Sequence, residues 1–522
     1  MARGQRVDSL SRITGGWRRL VSVGARRSDL LIVILIACVA ATLIFWQLGE
    51  GSLGDYDEAD YAQSAREMLW WGDFNTPRWN GMEFFDKPPL VYWLTALAFK
   101  VFGVNEFGAR VVSAGSGVLA VLLAYALGRD LFQSRTIGLG ASIMLLTVSR
   151  NLFSHGYSFL GLARVGMLDM PLILAMMAAV WLAWRSTTSM GAVRDRYLVC
   201  LGVPLGLGLM IKSVAGLLAY GVVALYFLLG VPAAVWRSRA TLKGLLLSLS
   251  IAAPWHAGQI LIWGRHFWDS YVVSLTLGYV TGEQGHTKDY LFYWRSMQRG
   301  FPVWYPVVAA AVVYAAYRTA RRFARRPTQL VEDRALVLLL CWAAVPFVLY
   351  SISRSRIGWY IIPIYPALAL LTTFLLYTLL RRLLSHVSGP VGREWTGSLV
   401  ILFVLVVSLV SGSGLPRVNN FNRDVKRVVS YGSLVLEEDA LLVNYWPGSY
   451  WIRPSALFYA DRPLLLVTSE EALRRLLKTQ GQHYVLADWA HWEPVAELGN
   501  VSYRSGQYVL VKAQQSVRSE ES

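Results

Sequence analysis

Apolar runs of membrane-spanning length recur along the chain, at roughly 30–48, 110–128, 136–153, 168–184, 197–211, 214–231, 244–263, 301–317, 335–352, 357–379 and 396–413. A helix needs about 20 apolar residues to cross the hydrocarbon of a bilayer, so the pattern predicts a polytopic all-α membrane protein of about eleven transmembrane helices. Only Lys212-Ser213 separates the runs 197–211 and 214–231, which leaves either a tight hairpin or one broken helix. Two stretches depart from the pattern. Between 49 and 109 the chain is aromatic and apolar without a clean span: an amphipathic helix over Tyr61–Trp71, a turn rich in Gly, Asn and Pro over Gly72–Gly81, then Phe84–Trp93. Loops this long are functional or disordered as a rule, and elements of this composition lie in the membrane interface. After about 415, short apolar runs (Ala440–Tyr445, Pro463–Val467, Tyr484–Ala487, Gln507–Val511) alternate with a helical segment at Glu470–Lys478, which predicts a small α/β domain. The expected organisation is a basic N-terminus (1–29), a transmembrane domain (30–415) holding the 49–109 loop, a soluble domain (416–514) and a frayed tail (515–522).

Charge orients these helices. With the N-terminus in the cytoplasm, the inner segments hold Arg18, Arg19, Arg26, Arg27, Arg129, Arg135, Arg185, Arg194, Arg196, Arg237, Arg239, Lys243, Arg318, Arg321, Arg322, Arg325, Arg326, Arg381, Arg382 and Arg393. Basic inner loops are what membrane insertion selects. They account for most of the +17 formal charge and argue against nucleic-acid binding, since the cations are scattered between spans. The same topology puts the 49–109 loop and the C-terminal domain on the outer face of the cytoplasmic membrane. The N-terminal run is long and lacks a small-residue cleavage site, and reads as an uncleaved anchor. Cys38, Cys200 and Cys341 all lie inside spans and suggest neither a disulfide framework nor a metal cluster. No Walker-type phosphate loop occurs.

The outer face gathers the chemistry. Asp57-Glu58 follows the first span, where carboxylates are costly and do nothing for insertion. A second acid, Asp169, opens the fourth span; with Pro171 two residues on, it suits an N-cap equally well. Two acids on one cavity are a recurring device for general-base and orienting roles. Lys87, Arg110, Arg150, Arg164, Lys212, Arg265, Arg354 and Arg356 all map to this side. Snorkelling to headgroups accounts for some of them, and a lipid phosphate is the natural partner for the rest. Lys87, between Asp86 and Pro88-Pro89, looks least like a snorkeller, and the Arg354/Arg356 pair follows.

These motifs in combination resemble those of polyprenyl-phosphate-sugar-dependent glycosyltransferases. They are Asp57-Glu58 with Tyr61-Ala62, Asp86-Lys87-Pro88-Pro89-Leu90 with Tyr92-Trp93, Phe102-Gly103 with Arg110, Arg164 with Asp169-Met170-Pro171-Leu172, and Tyr360-Ile361-Ile362-Pro363 with Pro366. The chain resembles a bacterial member of the protein-O-mannosyltransferase and aminoarabinose-transferase superfamily over about 30–415. The resemblance implies a GT-C fold and an inverting transferase that moves a sugar from a polyprenyl-phosphate donor to a glycolipid, polysaccharide or protein acceptor. It implies Asp57 as the catalytic carboxylate, with Asp169 and Glu58 beside it. Lys87, Arg110, Arg164, Arg354 and Arg356 would hold the donor phosphate, and Tyr61 and Tyr360 would contact substrate. No cofactor is required, although Asp86 and His266 occupy positions at which some relatives place a divalent metal. Asp60, Pro89 and the arginines at 354 and 356 depart from the aminoarabinose-transferase pattern, which leaves donor sugar and acceptor open. A lipid or sugar flippase is the alternative; it would carry its charges near the midplane and show repeats. A receptor-like membrane protein would have no reason to gather acids and bases on one side. In the C-terminal domain, Tyr445-Trp446, Tyr450-Trp451, Trp489 and Trp492 are either core or stacking surfaces for sugar rings.

Overall fold

A computed structural model describes residues 29–55, 57–147, 158–282, 286–300, 303–323, 331–384, 390–410, 420, 422–437, 439–448 and 452–514. Arg18, Arg19, Arg26, Arg27, Arg150, Arg325, Arg326, Tyr450, Trp451 and the 515–522 tail lie outside these residues. Each predicted apolar run falls, over its described residues, on a helix. The N-terminal half comprises α1 (Asp29–Phe45), α2 (Asp57–Trp71), the ribbon β1 (Arg78–Trp79) and β2 (Met82–Glu83), α3 (Leu90–Phe102) and α4 (Glu106–Phe132). Then come α5 (Arg135–Thr147), α6 (Phe159–Ala163), α7 (Asp169–Thr188), α8 (Gly191–Cys200), α9 (Gly202–Gly230), α10 (Ala233–Trp236) and α11 (Arg239–Trp263). The second half continues with α12 (Arg265–Phe267), a π-helical stretch Trp268–Leu277, α13 (Gly278–Thr281), α14 (Phe292–Gly300), α15 (Tyr305–Phe323) and α16 (Val331–Ile352). A 3₁₀ segment, Gly358–Ile364, leads into α17 (Tyr365–Leu383), and α18 (Pro390–Val410) follows.

Six of these helical segments are long and apolar enough to cross a membrane, and a seventh if α14 and α15, bent by 117°, are one span. α1, α5 and the 395–407 stretch of α18 are apolar but shorter, and both α1 and α5 border residues outside the description. The 191–230 segment is 40 residues long. Straight, it would measure about 60 Å, twice the hydrocarbon thickness. It is not straight: Lys212 (φ −149°, ψ 44°) and Ser213 (φ 33°, ψ −110°) leave the helical region. The bend brings the backbones on either side so close that a Cβ on Gly216 would lie 2.4 Å from the Gly208 carbonyl oxygen. Of the two readings the sequence allowed, this is the tight hairpin: the chain reverses at Lys212-Ser213, beside Asp169 at one end of α7, and Tyr197 and Tyr226 of the two arms meet Arg185 and Thr187 at the other. The first arm packs on α11 through Gly202 against Gly244, a contact that only small residues permit.

The C-terminal residues form α19 (Arg423–Val435), β3 (Leu441–Tyr445), α20 (Pro454–Ala460), β4 (Leu465–Val467), α21 (Glu470–Leu477), β5 (His483–Asp488), α22 (Trp489–Trp492), β6 (Gly499–Ser505) and β7 (Tyr508–Ala513). The sheet order is β4-β3-β5-β7-β6; β3 pairs in parallel with β4 and β5, while β7 is antiparallel to β5 and β6. The central strands are buried on both faces: Leu442, Leu486 and Leu510 pack toward α19 and α20, and Val443, Val485 and Val509 toward α21 and Trp492. This domain is bolted to the first loop. Asn422 donates to the Leu53 carbonyl (2.9 Å), Tyr459 Oη donates to Glu106 (2.8 Å), Lys426 pairs with Glu106 (2.5 Å), and Arg66 of α2 pairs with Asp461. It therefore covers the same end of the bundle as the 49–109 loop.

Candidate functional site

Four elements converge beneath that loop. α2 starts at Asp57 and turns its first residues inward; Glu58, Ala59, Tyr61 and Ala62 are all buried. The turn after α2 is fixed to the end of α11 by Trp255 and Gln259, which both donate to the Asn75 carbonyl (2.8 and 3.0 Å). Phe85 then wedges edge-on between Phe267 (5.1 Å between ring centres), His266 (5.5 Å) and Trp263 (5.9 Å). That wedge delivers the next two residues to the site. Lys87 is buried, its ammonium 2.7 Å from Asp86 Oδ1, and Pro89 behind it (φ −83°, ψ −2°) is the N-cap that starts α3.

α7 contributes Asp169. The N-cap there is Leu168, with no side-chain cap, so the capping role open to Asp169 is not the one it takes. Both its oxygens instead accept from Lys212 Nζ (2.8 and 2.9 Å), and both residues are buried. Lys212 sits at the break in α9, where a regular helix would carry it away from α7. The Tyr360 ring, from the 3₁₀ segment, lies 4.5 Å from the ammonium. The sequence placed Lys212 among the outer-face cations, for headgroups or a lipid phosphate, and did not foresee its pairing with Asp169; the signal was a lone lysine between two apolar runs.

Asp57 is only partly covered, yet it lies in an enclosed mouth. Burial pushes its carboxyl above the ordinary value, the Lys212 and Lys87 ammoniums oppose that rise, and Asp86 and Asp169 reinforce it. The contest between like charge and lysine is therefore settled by desolvation, which outweighs both. Asp60, one turn along α2, is raised well above its usual value by burial and then by Asp57 and Asp86. Tyr61, packed on Tyr92 (5.8 Å), has its phenol raised by burial and then by Asp57 and Asp86. Asp57, Tyr61, Asp86, Lys87, Asp169, Lys212 and Tyr360 thus share one mouth.

Several sequence expectations do not survive the geometry. Glu58 does not join this mouth: Oε1 accepts from Arg110 Nε (2.8 Å) and the Gly166 amide (3.0 Å), and Oε2 from the Gly54 amide (2.7 Å). Arg110 spends its remaining nitrogens on the carbonyls of Leu48, Glu50 (2.9 Å each) and Ser52 (2.7 Å). The pair is a clasp: four of the five guanidinium N–H groups and three of the roughly four carboxylate lone pairs are already spent on it and on the backbone. Arg164 caps α1 through the carbonyls of Leu43 and Ile44 (3.1 and 2.8 Å), and burial, followed by Arg110, lowers its value to about 10. Arg356 is buried and donates to the Lys288 and Ser351 carbonyls, pinning 286–290 to the 351–357 strip. Arg354 stays exposed. Asp86 and His266 do not fit a resident metal ion: Asp86 already carries the Lys87 ammonium, His266 is exposed, and no group of three or more His, Cys, Asp or Glu among the described residues is placed to hold one.

Residues 86–257 match the family described as dolichyl-phosphate-mannose-protein mannosyltransferase. An "undecaprenyl phosphate-alpha-4-amino-4-deoxy-L-arabinose arabinosyl transferase 1" of Pseudomonas fluorescens is 28% identical over 325 residues, 60% of this chain and 54% of that protein. The corresponding transferase of Pseudomonas aeruginosa is 29% identical over 328 residues, with 60% and 54% covered. The chain thus spans about half the length of these curated relatives. In three dimensions it superposes on ArnT from Cupriavidus metallidurans, solved bound to undecaprenyl phosphate, with a TM-score of 0.72 at 19% identity, covering 93% of this chain and 98% of that one. The Archaeoglobus fulgidus oligosaccharyltransferase matches with a TM-score of 0.53 at 15% identity, covering 92% and 73%. The fold common to these structures is GT-C.

Proposed function

We propose that this chain, a multi-pass GT-C member of the superfamily of protein mannosyltransferases and aminoarabinose transferases, is an inverting glycosyltransferase using a sugar on a polyprenyl phosphate. The acceptor is a hydroxyl or phosphate of a glycolipid, with cell-envelope polysaccharide and protein as the other classes. The names of the relatives support undecaprenyl phosphate as the carrier and an aminopentose as the sugar. The observation that carries the reading is the pairing, in one enclosed mouth, of a carboxylate with a raised value (Asp57) and two buried ammoniums (Lys87 and Lys212). A transporter has no use for that arrangement at one end of the bundle. The mouth and the C-terminal domain belong on the outer face; supporting this, Arg129, Arg135, Arg185, Arg194 and Arg237 gather at the opposite helix ends, as insertion requires of an inner face.

Asp57 orients the acceptor oxygen and takes its proton as that oxygen attacks C1 from the side opposite the phosphate. A base whose value is lifted toward the working pH is better suited to this than an ordinary carboxylate. As the C1–O bond breaks, negative charge grows on the departing polyprenyl phosphate. Lys87, and Lys212 held by Asp169, stabilise that charge more in the transition state than in the ground state, which is where rate comes from. The sugar–phosphate bond supplies the driving force, so no nucleotide site is needed.

The test is to incubate the purified full chain with radiolabelled polyprenyl-phosphate sugars and envelope extract, wild type beside Asp57→Asn. Transfer by wild type that the folded variant lacks is expected, and it identifies donor and acceptor together. Equal transfer by both removes Asp57 from the chemistry, and none from any donor by folded wild type moves weight to the flippase.

A further inference from the structure

α20 lies where the C-terminal domain meets the start of α2, and its own sequence leaves it short of a cap. Its N-cap is Arg453, whose side chain offers no oxygen, and Pro454 follows at the first helical position. The next amide, that of Ser455, needs an acceptor from elsewhere. It comes from 400 residues away: Asp55 Oδ1 accepts from the Ser455 amide (3.1 Å) and from its hydroxyl (2.6 Å), while Oδ2 lies 3.2 Å from the Arg453 guanidinium. One turn on, the Tyr459 hydroxyl takes hold of the same strip. Its oxygen accepts from the Leu53 amide and its proton goes to Glu106, at 2.8 Å each. The far end of α20 holds α2 itself, since Arg66 donates to the Phe458 carbonyl and pairs with Asp461.

Asp57 is the first residue of α2. α20 thus grips the chain on both sides of it, at Leu53 and Asp55 before and at Arg66 after. Helix ends fray unless something outside fixes them, and here the end in question carries the carboxylate of the mouth. Leu53 and Ser455 are both inaccessible, so water cannot take over a bond that is lost. The Arg110 clasp works farther off, on the carbonyls of Leu48, Glu50 and Ser52. The two positions nearest to Asp57 on its N-terminal side that carry a tertiary side-chain bond, 53 and 55, are both held from the C-terminal domain.

We propose that α20 is a splint for the catalytic carboxylate: Asp55, Ser455 and Tyr459 are positioning residues of the transfer reaction, fixing the strip before α2 and so the placement of Asp57. The C-terminal domain is then part of the active-site framework and not only a cover for the mouth. This rests on the transferase reading for its consequence, although the splint itself does not. None of the three touches the reacting atoms. Each acts through Asp57, and a general base displaced by about 1 Å loses up to about 100-fold in rate.

The experiment compares wild type, Tyr459→Phe, Asp55→Ala and Asp55→Asn as full chains in lipid nanodiscs. Hydrogen exchange is followed over residues 51–55, the first turn of α2 and strands β3, β5 and β7, with transfer kinetics measured in parallel. Tyr459→Phe keeps the ring and leaves Glu106 paired with Lys426, so the domain stays folded. The expected result for Tyr459→Phe and Asp55→Ala is exchange at least about fivefold faster before and in the first turn of α2, and unchanged in the three strands. Their kcat should fall about tenfold with donor and acceptor KM within about twofold. Asp55→Asn, whose amide oxygen still accepts from Ser455, should stay within about threefold of wild type in kcat. Equal losses in Asp55→Asn and Asp55→Ala overturn the proposal, because charge and not placement would then matter. So does unchanged exchange before α2, or faster exchange there with unchanged kcat. A raised acceptor KM at unchanged kcat overturns it too, making the domain a substrate surface. If wild type transfers no sugar, the transferase reading falls, while the exchange measurement still supports or sinks the splint.

Discussion

Two buried ion pairs lie within a few residues of each other in this fold, and they do opposite work. Glu58–Arg110 and Asp169–Lys212 have the same closest approach, 2.8 Å, and all four side chains are nearly inaccessible. In the first pair most of the hydrogen-bonding capacity is used: three donors on the carboxylate, and three backbone carbonyls besides the carboxylate on the guanidinium. Its partners are fixed peptide groups of the loop it closes. In the second, both carboxylate oxygens face one ammonium, the other neighbour is an aromatic ring, and Asp57 lies within electrostatic reach. Burial and charge do not distinguish a clasp from a reactive site. Partners do: a pair whose other hydrogen bonds go to the backbone holds structure, and one surrounded by other titratable groups can turn to a substrate.

The sharpest way to break this comparison is to remove one member of each pair. Lys212→Met should lower kcat by about 10²–10³-fold, as losing a charge-stabilising donor does. It should also destabilise the fold, because Asp169 is left buried without its partner; adding Asp169→Asn should restore stability and not activity, as a melting curve beside the transfer assay would show. Arg110→Leu should do the reverse. Breaking a buried pair costs about 3–5 kcal/mol, so yield and melting temperature drop, while kcat per folded molecule stays within about threefold. A 100-fold loss of kcat in a well-folded Arg110→Leu would put the clasp back into the site.

Protonation sharpens the contrast further. Asp57 is raised by burial, so folding disfavours its ionised form; its contribution to stability is full below the unfolded value and is lost as pH rises through the folded one. Asp57→Asn, inactive, should therefore melt a few degrees above wild type at about pH 8, with the gap closing near pH 4. Wild-type transfer should fall on the acid side at a pH above the ordinary carboxylate value of about 4. A variant that melts lower than wild type at pH 8 would show that Asp57 supports the fold. The smallest effect is expected from Arg164→Gln, which loses bonds to two carbonyls at the end of α1: about 1–2 kcal/mol of stability and no change in donor KM, measured by denaturation and by kinetics.

The candidate cations at 110, 164 and 356 were read as phosphate ligands because they are arginines on the wrong side for membrane insertion. That inference was sound as far as charge goes. What it lacked was the backbone: an outer loop that folds back over helix ends exposes carbonyls in low dielectric, and a guanidinium with five donors satisfies several at once. Carbonyl positions depend on how the loop closes, which no one-dimensional pattern records. The partner of Lys212 was hidden for the complementary reason. Its neighbourhood in sequence is apolar, and its partner Asp169 lies 43 residues away.

The sequence by itself determined the membrane-spanning helical architecture, the small α/β domain and the acids at the mouth. Those follow from periodicity, run length and the cost of charge in hydrocarbon, which are local properties of the chain. Tertiary structure alone decided which charges are spent and which remain available, because that depends on distances between residues far apart in sequence. It also decided that α9 breaks at Lys212 and Ser213, since a strained bend persists only where packing around it outweighs the strain.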